Sequence, residues 1–199
     1  MRLQSIEPQD LEGRSYIESC EECYCFGDYL PLSRSGGLYA PMSSLVCNLK
    51  KTPNHRCTNY RDSAITQVVT CLSEVSNLAQ FTIVPIPSSK LPCDPEYNPV
   101  LIEILEQLRQ RNGEIQYLEL IKNTMARQAS HLSQIRTGVD ELVESWEIDE
   151  GLVNQCKPYV MLFDDVLTSG AHYTAAKTML MKRMPELTIN GLFIARTVK

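Results

Sequence analysis

The chain has 199 residues, 43% of them hydrophobic and 22% charged, with a formal net charge of −5. This composition and length suit one globular domain with a substantial core and exclude extensive disorder. No lysine- and arginine-rich run stands out against the acidic total, so nucleic-acid binding through phosphate neutralisation is not indicated.

No apolar stretch approaches the roughly 20 residues a membrane-spanning helix needs, and "MRLQSIEPQDLEG" has no apolar signal core. A cytoplasmic protein is expected, its eight cysteines reduced: Cys20, Cys23, Cys25, Cys47, Cys57, Cys71, Cys93 and Cys156. Cys20 and Cys23 have the C-x2-C spacing of a zinc knuckle, with His55 and Cys57 as conceivable further ligands. The second pair is H-x-C rather than C-x2-C, and "YCFGDY" reads as a strand burying Cys25, so a zinc site is not expected.

In chain order, "CYCFGDYLPL", "SRSGG" and "LYAP" suggest a strand pair around a Gly-Gly turn, a small β hood within residues 1–57. "MSSLVCNLKK" reads as a short helix that "TPNH" ends. From Tyr60 to Ala79, the spacing of Ala64, Ile65, Val68, Val69, Leu72, Val75 and Ala79 predicts a helix. "QFTIVPIPSS" is a buried strand running into a proline-marked loop. Val100, Leu101, Ile104, Leu105 and Leu108 mark the next helix, "IQYLELI" a second strand, and "KNTMARQAS" an aperiodic loop. Leu132, Ile135, Val139, Leu142, Val143 and Trp146 form another helical stripe. "YVMLF" is a third strand, Ser169 to Met184 a helix, and "INGLFIARTV" a final strand.

Strands and helices therefore alternate across an α/β core at residues 58–199, which implies a parallel sheet flanked by helices. Ligands of such sheets bind beyond the carboxyl ends of the strands, which selects "PIPSSK" and "DDVLTSGAH". In the second loop Asp164 and Asp165 meet a cleft; like charges so close call for hydroxyl donors or a cation. "LTSGAH" adds two hydroxyls, a glycine and the first amides of a helix, a combination suited to an anion. Sugar hydroxyls beside a phosphate describe a ribose 5-phosphate. The plainer alternative is that Asp165 or Thr168 only caps the helix, a task that needs one side chain.

"VMLFDDVLTSG" resembles the phosphoribosyl pyrophosphate (PRPP) motif of type I phosphoribosyltransferases. "LVCNLKKTPN", "FTIVPIPSSK" and "NTMARQASHLSQIR" resemble, in order, segments of the ComF-like (competence-protein-like) members, so the likeness spans residues 38–199. The resemblance implies a magnesium-assisted transferase in which Asp164 and Asp165 contact the ribose and Thr168, Ser169, Gly170, Ala171 and His172 hold the 5-phosphate. Ser88, Ser89 and Lys90 would form the pyrophosphate loop, and Arg127, His131 and Arg136 fall in the flexible-loop segment. Mg2+ would be held mainly through the ligand, with Asp164 or Asp165 as a further contact, and a homodimer is compatible with the family.

The chain departs from the family where His172 replaces a hydroxyl and where "DPEYNPVL" replaces an Arg- and Asn-bearing segment. His131 reads as an ordinary loop or helix-start residue, because no partner acid can be named. A P-loop NTPase is excluded by the lack of G-x-x-x-x-G-K-[ST], and a phosphoacceptor-type fold by the late position of the aspartates. A noncatalytic PRPP- or nucleotide-binding regulator of the same fold remains the alternative.

Overall fold

The β-branched runs pair as one parallel sheet whose faces the amphipathic helices cover. A computed structural model describes residues 1–12, 14, 16–18, 21–31, 41–53, 58–125 and 138–198. In chain order the elements are β1 (Gln4–Ser5), α1 (Pro8–Leu11), β2 (Cys23–Cys25), β3 (Asp28–Tyr29), α2 (Pro41–Leu49), α3 (Thr58–Ser73), β4 (Thr82–Pro85), α4 (Val100–Arg111), β5 (Gln116–Tyr117), β6 (Ile121–Asn123), α5 (Val139–Ser145), β7 (Trp146–Ile148), β8 (Tyr159–Leu167), α6 (Ala171–Arg183) and β9 (Thr188–Thr197), with 3-10 turns at Leu78–Gln80 and Val153–Gln155.

Strands β5, β4, β8 and β9 lie side by side in that order, all parallel. The expected α/β architecture is therefore present. Helices α2, α3 and α4 pack on one face with Met161, Phe163, Leu192 and Ile194, while α5 and α6 cover the other with Val160, Leu162 and Phe193. The alternation along β8 follows from the pleat, which sends successive side chains to opposite faces. Burying a side chain such as Phe163, Leu105 or Leu180, each 0% exposed, contributes about 1.5–3 kcal/mol. Among the described residues no helix is long and apolar enough to cross a membrane.

The small N-terminal β portion is built into this sheet. β2 and β3 run parallel along the outer edge of β9, and β1 pairs antiparallel with β2. Their apolar positions, Cys23 and Cys25 among them, cover a strand edge that would otherwise offer unpaired backbone groups to water. Gly191 of β9 permits the approach: a Cβ there would stand 2.8 Å from Cys23 Sγ and 3.1 Å from the Tyr173 ring. The expected turn at Gly36 and Gly37 lies outside the described residues.

Three elements differ from their expected form. Helix α3 ends at Ser73, after which Glu74 N and Val75 N turn to carbonyls three residues back; Val75 and Ala79, which extend the predicted stripe, pack half-buried against the same core beyond the helix, Ala79 in a 3-10 turn that follows Asn77 (φ 64°). "IQYLELI" is not one strand: β5 pairs with β4, whereas β6 leaves to form a separate antiparallel ribbon with β7. Alternation continues through the break, so the pattern does not reveal the change of sheet. Trp146 opens β7 instead of closing a helix, and of the stripe that predicted that helix, Leu132 and Ile135 lie outside the described residues.

Arg61 ties the α3 side together. Only 3% exposed, it donates to Lys51 O (2.8 Å), Glu103 Oε2 (2.6 Å) and Asn98 Oδ1 (2.8 Å), and Asn98 Nδ2 donates to Leu49 O (2.8 Å). Asn98, in the "DPEYNPVL" segment after β4, thus has a structural role. Lysine has no planar fork to meet these three acceptors together, so R61K is expected to destabilise by about 1–2 kcal/mol, read as a lower urea midpoint with unchanged m-value.

Candidate functional site

From β4 the chain moves to β5 on one side of the sheet, and from β8 it moves to β9 on the other. The order reverses between β4 and β8, the kind of switch point at whose carboxyl ends such sheets bind ligands, and both loops selected from sequence follow these two strands. The last rung is Ile86 N donating to Phe163 O (2.9 Å). Pro87 offers no amide to extend it. β8 continues to Leu167 against β9 alone, so Asp164 and Asp165 lie just past the end of β4.

Adjacent in sequence, the two carboxylates reach different partners. Asp164 Oδ2 stands 3.8 Å from Nδ1 of His172 on α6, and Asp165 Oδ2 stands 3.7 Å from Nζ of Lys50 at the end of α2. That separation continues the alternation of Leu162 and Phe163. Their remaining oxygens accept from the backbone, Asp164 Oδ1 from Asp165 N (2.8 Å) and Asp165 Oδ1 from Val166 N (2.6 Å). The side chains keep 15% and 27% exposure, enough for a ligand to reach them. Desolvation at the end of the sheet, then the Asp164 charge, push the Asp165 carboxyl above its ordinary range, with Lys50 pulling against them.

The next turn leads from β8 into α6. Gly170 precedes α6 with φ 88°, where glycine is favoured, and Ala171 N donates to Ser169 Oγ at 3.5 Å. Among the described residues, the amides of Thr168, Ser169 and Gly170 meet no hydrogen-bond acceptor. His172 also faces Trp146 of β7, ring centroids 6.0 Å apart.

The turn's carbonyls are engaged by the N-terminal segment. Arg14 Nη1 donates to Leu167 O (3.2 Å), Thr168 O and Thr197 Oγ1 (3.1 Å), and Nη2 to Thr197 O (2.7 Å). Tyr16 N donates to Ser169 O (3.2 Å), and Thr174 Oγ1 donates to Tyr16 O. Sequence reasoning missed Arg14 and Tyr16, which lie about 150 positions away and carry no motif. Lys50 was visible only within "LVCNLKKTPN", with no role attached.

In the loop after β4, Lys90 N donates to Ser88 Oγ (3.2 Å), and Asn123 Nδ2 of β6 donates to Ser88 O (3.0 Å). Ser89 lies between them. The Lys90 ammonium pairs with Asp94 (3.4 Å) and Glu96 (2.9 Å), so its charge is already countered. Arg127, His131 and Arg136 lie outside the described residues, as do Cys20, His55 and Cys57 of the conceivable zinc set. Cys23 is buried in β2, and desolvation followed by the Glu21 charge pushes its thiol up to about 12.

Asp164 and Asp165 are suitable oxygen donors for Mg2+, but among the described residues no group of three His, Cys, Asp or Glu could hold a metal. The donor set fits an ion held chiefly by ligand oxygens and water. A scan against protein-family models and a search of curated proteins both found no match for this chain.

Proposed function

We propose that this protein binds PRPP, or a related ribose 5-phosphate ligand, across the carboxyl ends of β4 and β8, and transfers the phosphoribosyl group to or from a nitrogenous base. One observation carries the reading: consecutive aspartates stand just beyond the last β4 rung at the sheet's switch point, followed at once by a turn whose amides meet no acceptor among the described residues. A ribose lying over the open edge of β8 donates its hydroxyls to the carboxylates, and its 5-phosphate accepts from the Thr168–Gly170 amides and the start of α6. The Ser88–Lys90 loop faces the pyrophosphate. Mg2+, when bound, supplies positive charge to that pyrophosphate.

In the transfer, a base nitrogen attacks the anomeric carbon, the carbon–oxygen bond to pyrophosphate breaks with its electrons going to the leaving group, and the base nitrogen loses a proton. The chain's part is position and charge stabilisation. We place this activity in the cytoplasm.

The second reading, a noncatalytic sensor of the same ligand, is favoured by the pairing of Lys90 with Asp94 and Glu96, which draws its charge away from a leaving pyrophosphate. Calorimetric titration with PRPP and Mg2+ tests the site, and lack of binding by the unaltered protein would sink both readings. Pyrophosphate release with a panel of bases then separates them: release supports the transferase, and binding without release under every base supports the sensor.

A further inference from the structure

The geometry behind the turn carries an inference that deepens, and rests on, the ribose-phosphate reading. A trans peptide unit points its C=O and N–H in opposite directions. The carbonyls of Leu167 and Thr168 accept from Arg14, and that of Ser169 accepts from Tyr16 N. Those peptide units also contain the amides of Thr168, Ser169 and Gly170, the ones that meet no acceptor among the described residues. We infer that Arg14 is a positioning residue for anion binding: by gripping the carbonyls of Leu167 and Thr168 it directs the amides of Thr168 and Ser169 toward the ligand side, while Tyr16 N holds the Ser169 carbonyl and with it the Gly170 amide.

Two further features keep the grip in register. Ile17 packs directly on Gly170, and Thr174 of α6 donates to Tyr16 O. Arg14 Nε also donates to Asp10 O (3.0 Å), and Asp10 pairs with Arg196, so the guanidinium belongs to a fixed charged cluster behind the turn. With Arg14 gone, both carbonyls lose a charged donor; that of Leu167 still accepts from Thr197 Oγ1 (3.2 Å), whereas the Thr168–Ser169 peptide unit loses the donor that holds it. A carbonyl turned toward a phosphate repels it as surely as an amide attracts it.

The test uses ribose 5-phosphate and inorganic phosphate on the full chain, with affinities from calorimetry and amide resonances from heteronuclear NMR, well below the unfolding midpoints. Unaltered protein is expected to show downfield shifts of the Thr168, Ser169 and Gly170 amides on adding either anion. R14M is expected to lose about tenfold in affinity, the scale of one charge-assisted hydrogen bond, together with most of those shifts. R14K keeps the charge and part of the grip and is expected to fall between, a graded rescue that a mere loss of packing would not give. R14M that binds with unaltered affinity and shifts would overturn the inference while leaving the ribose-phosphate reading standing. An unaltered protein that neither binds nor shifts would overturn that reading itself. Should R14M not fold, R14K decides alone: a severalfold weaker affinity supports the inference, and unchanged affinity and shifts refute it.

Discussion

Asparagine at both Asp164 and Asp165 is expected to abolish measurable binding of PRPP in the presence of Mg2+ while leaving the protein folded. Each carboxylate keeps one oxygen on a backbone amide; the other, 3.8 Å from His172 Nδ1 for Asp164 and 3.7 Å from Lys50 Nζ for Asp165, is the one a ribose hydroxyl would have to reach. Hydrogen bonds to a charged partner contribute about 1.5–3 kcal/mol each, so neutralising both weakens affinity by about a hundredfold or more. Calorimetry on the double variant reads this directly; affinity within a few-fold of the unaltered protein would remove the aspartates from the site.

Stability should move the other way for Asp165 alone. Its carboxyl is raised above the ordinary range by desolvation and by Asp164. An acid raised in the folded state binds more protons folded than unfolded between its two pKa values, so stability falls as pH climbs from the unfolded value through the folded one. D165N removes that burden and retains an oxygen for Val166 N. Its lost contact is with Lys50, 46% exposed, a pair of small worth. The variant is expected to melt higher than the unaltered protein near neutral pH, with the gap closing as pH approaches the unfolded carboxylate value of 3.8. A lower melting temperature at neutral pH would show that the Lys50 pair outweighs the desolvation.

The second large effect is at Gly170. A Cβ there would lie 2.8 Å from Ile17 Cβ and 3.3 Å from Ile17 N, at φ 88°. The left-handed backbone costs a non-glycine residue about 1–2 kcal/mol, and displacing packed neighbours adds about 1–3 kcal/mol. G170A is expected to lower stability by about 2–5 kcal/mol, a fall of roughly 5–15 °C in melting temperature for a chain this size. Because the atoms in the way include Ile17 Cβ, which alanine keeps, I17G is the variant that relieves the steric part, and G170A/I17G is expected to lose less stability than the two single variants summed. No recovery would place the whole penalty in the backbone.

These effects mark how far the sequence could be read. The buried runs "FTIVP", "YVMLF" and "INGLFIA" and the stripe from Ala64 to Leu72 predicted strands and a helix correctly, because burial on one or both faces imposes a period of its own. The aspartate pair and the T-S-G turn were legible as a candidate site for a related reason: their polar chemistry is concentrated in consecutive residues. Arg14, Tyr16 and Ile17 were not legible, since what fixes them is a carbonyl on a turn about 150 positions away. Nor was the split of "IQYLELI", where one alternation serves two sheets.

By itself the sequence determined the alternation of strands and helices, the two loops at the sheet's carboxyl end and the residues on them, since hydrophobic period and turn chemistry are local. Only the tertiary structure decided that the loops adjoin at a strand-order reversal, that Asp164 and Asp165 separate toward His172 and Lys50, and that Arg14 stands behind the turn. Those relations join residues far apart in the chain, and they are set by which strands pair and which faces pack.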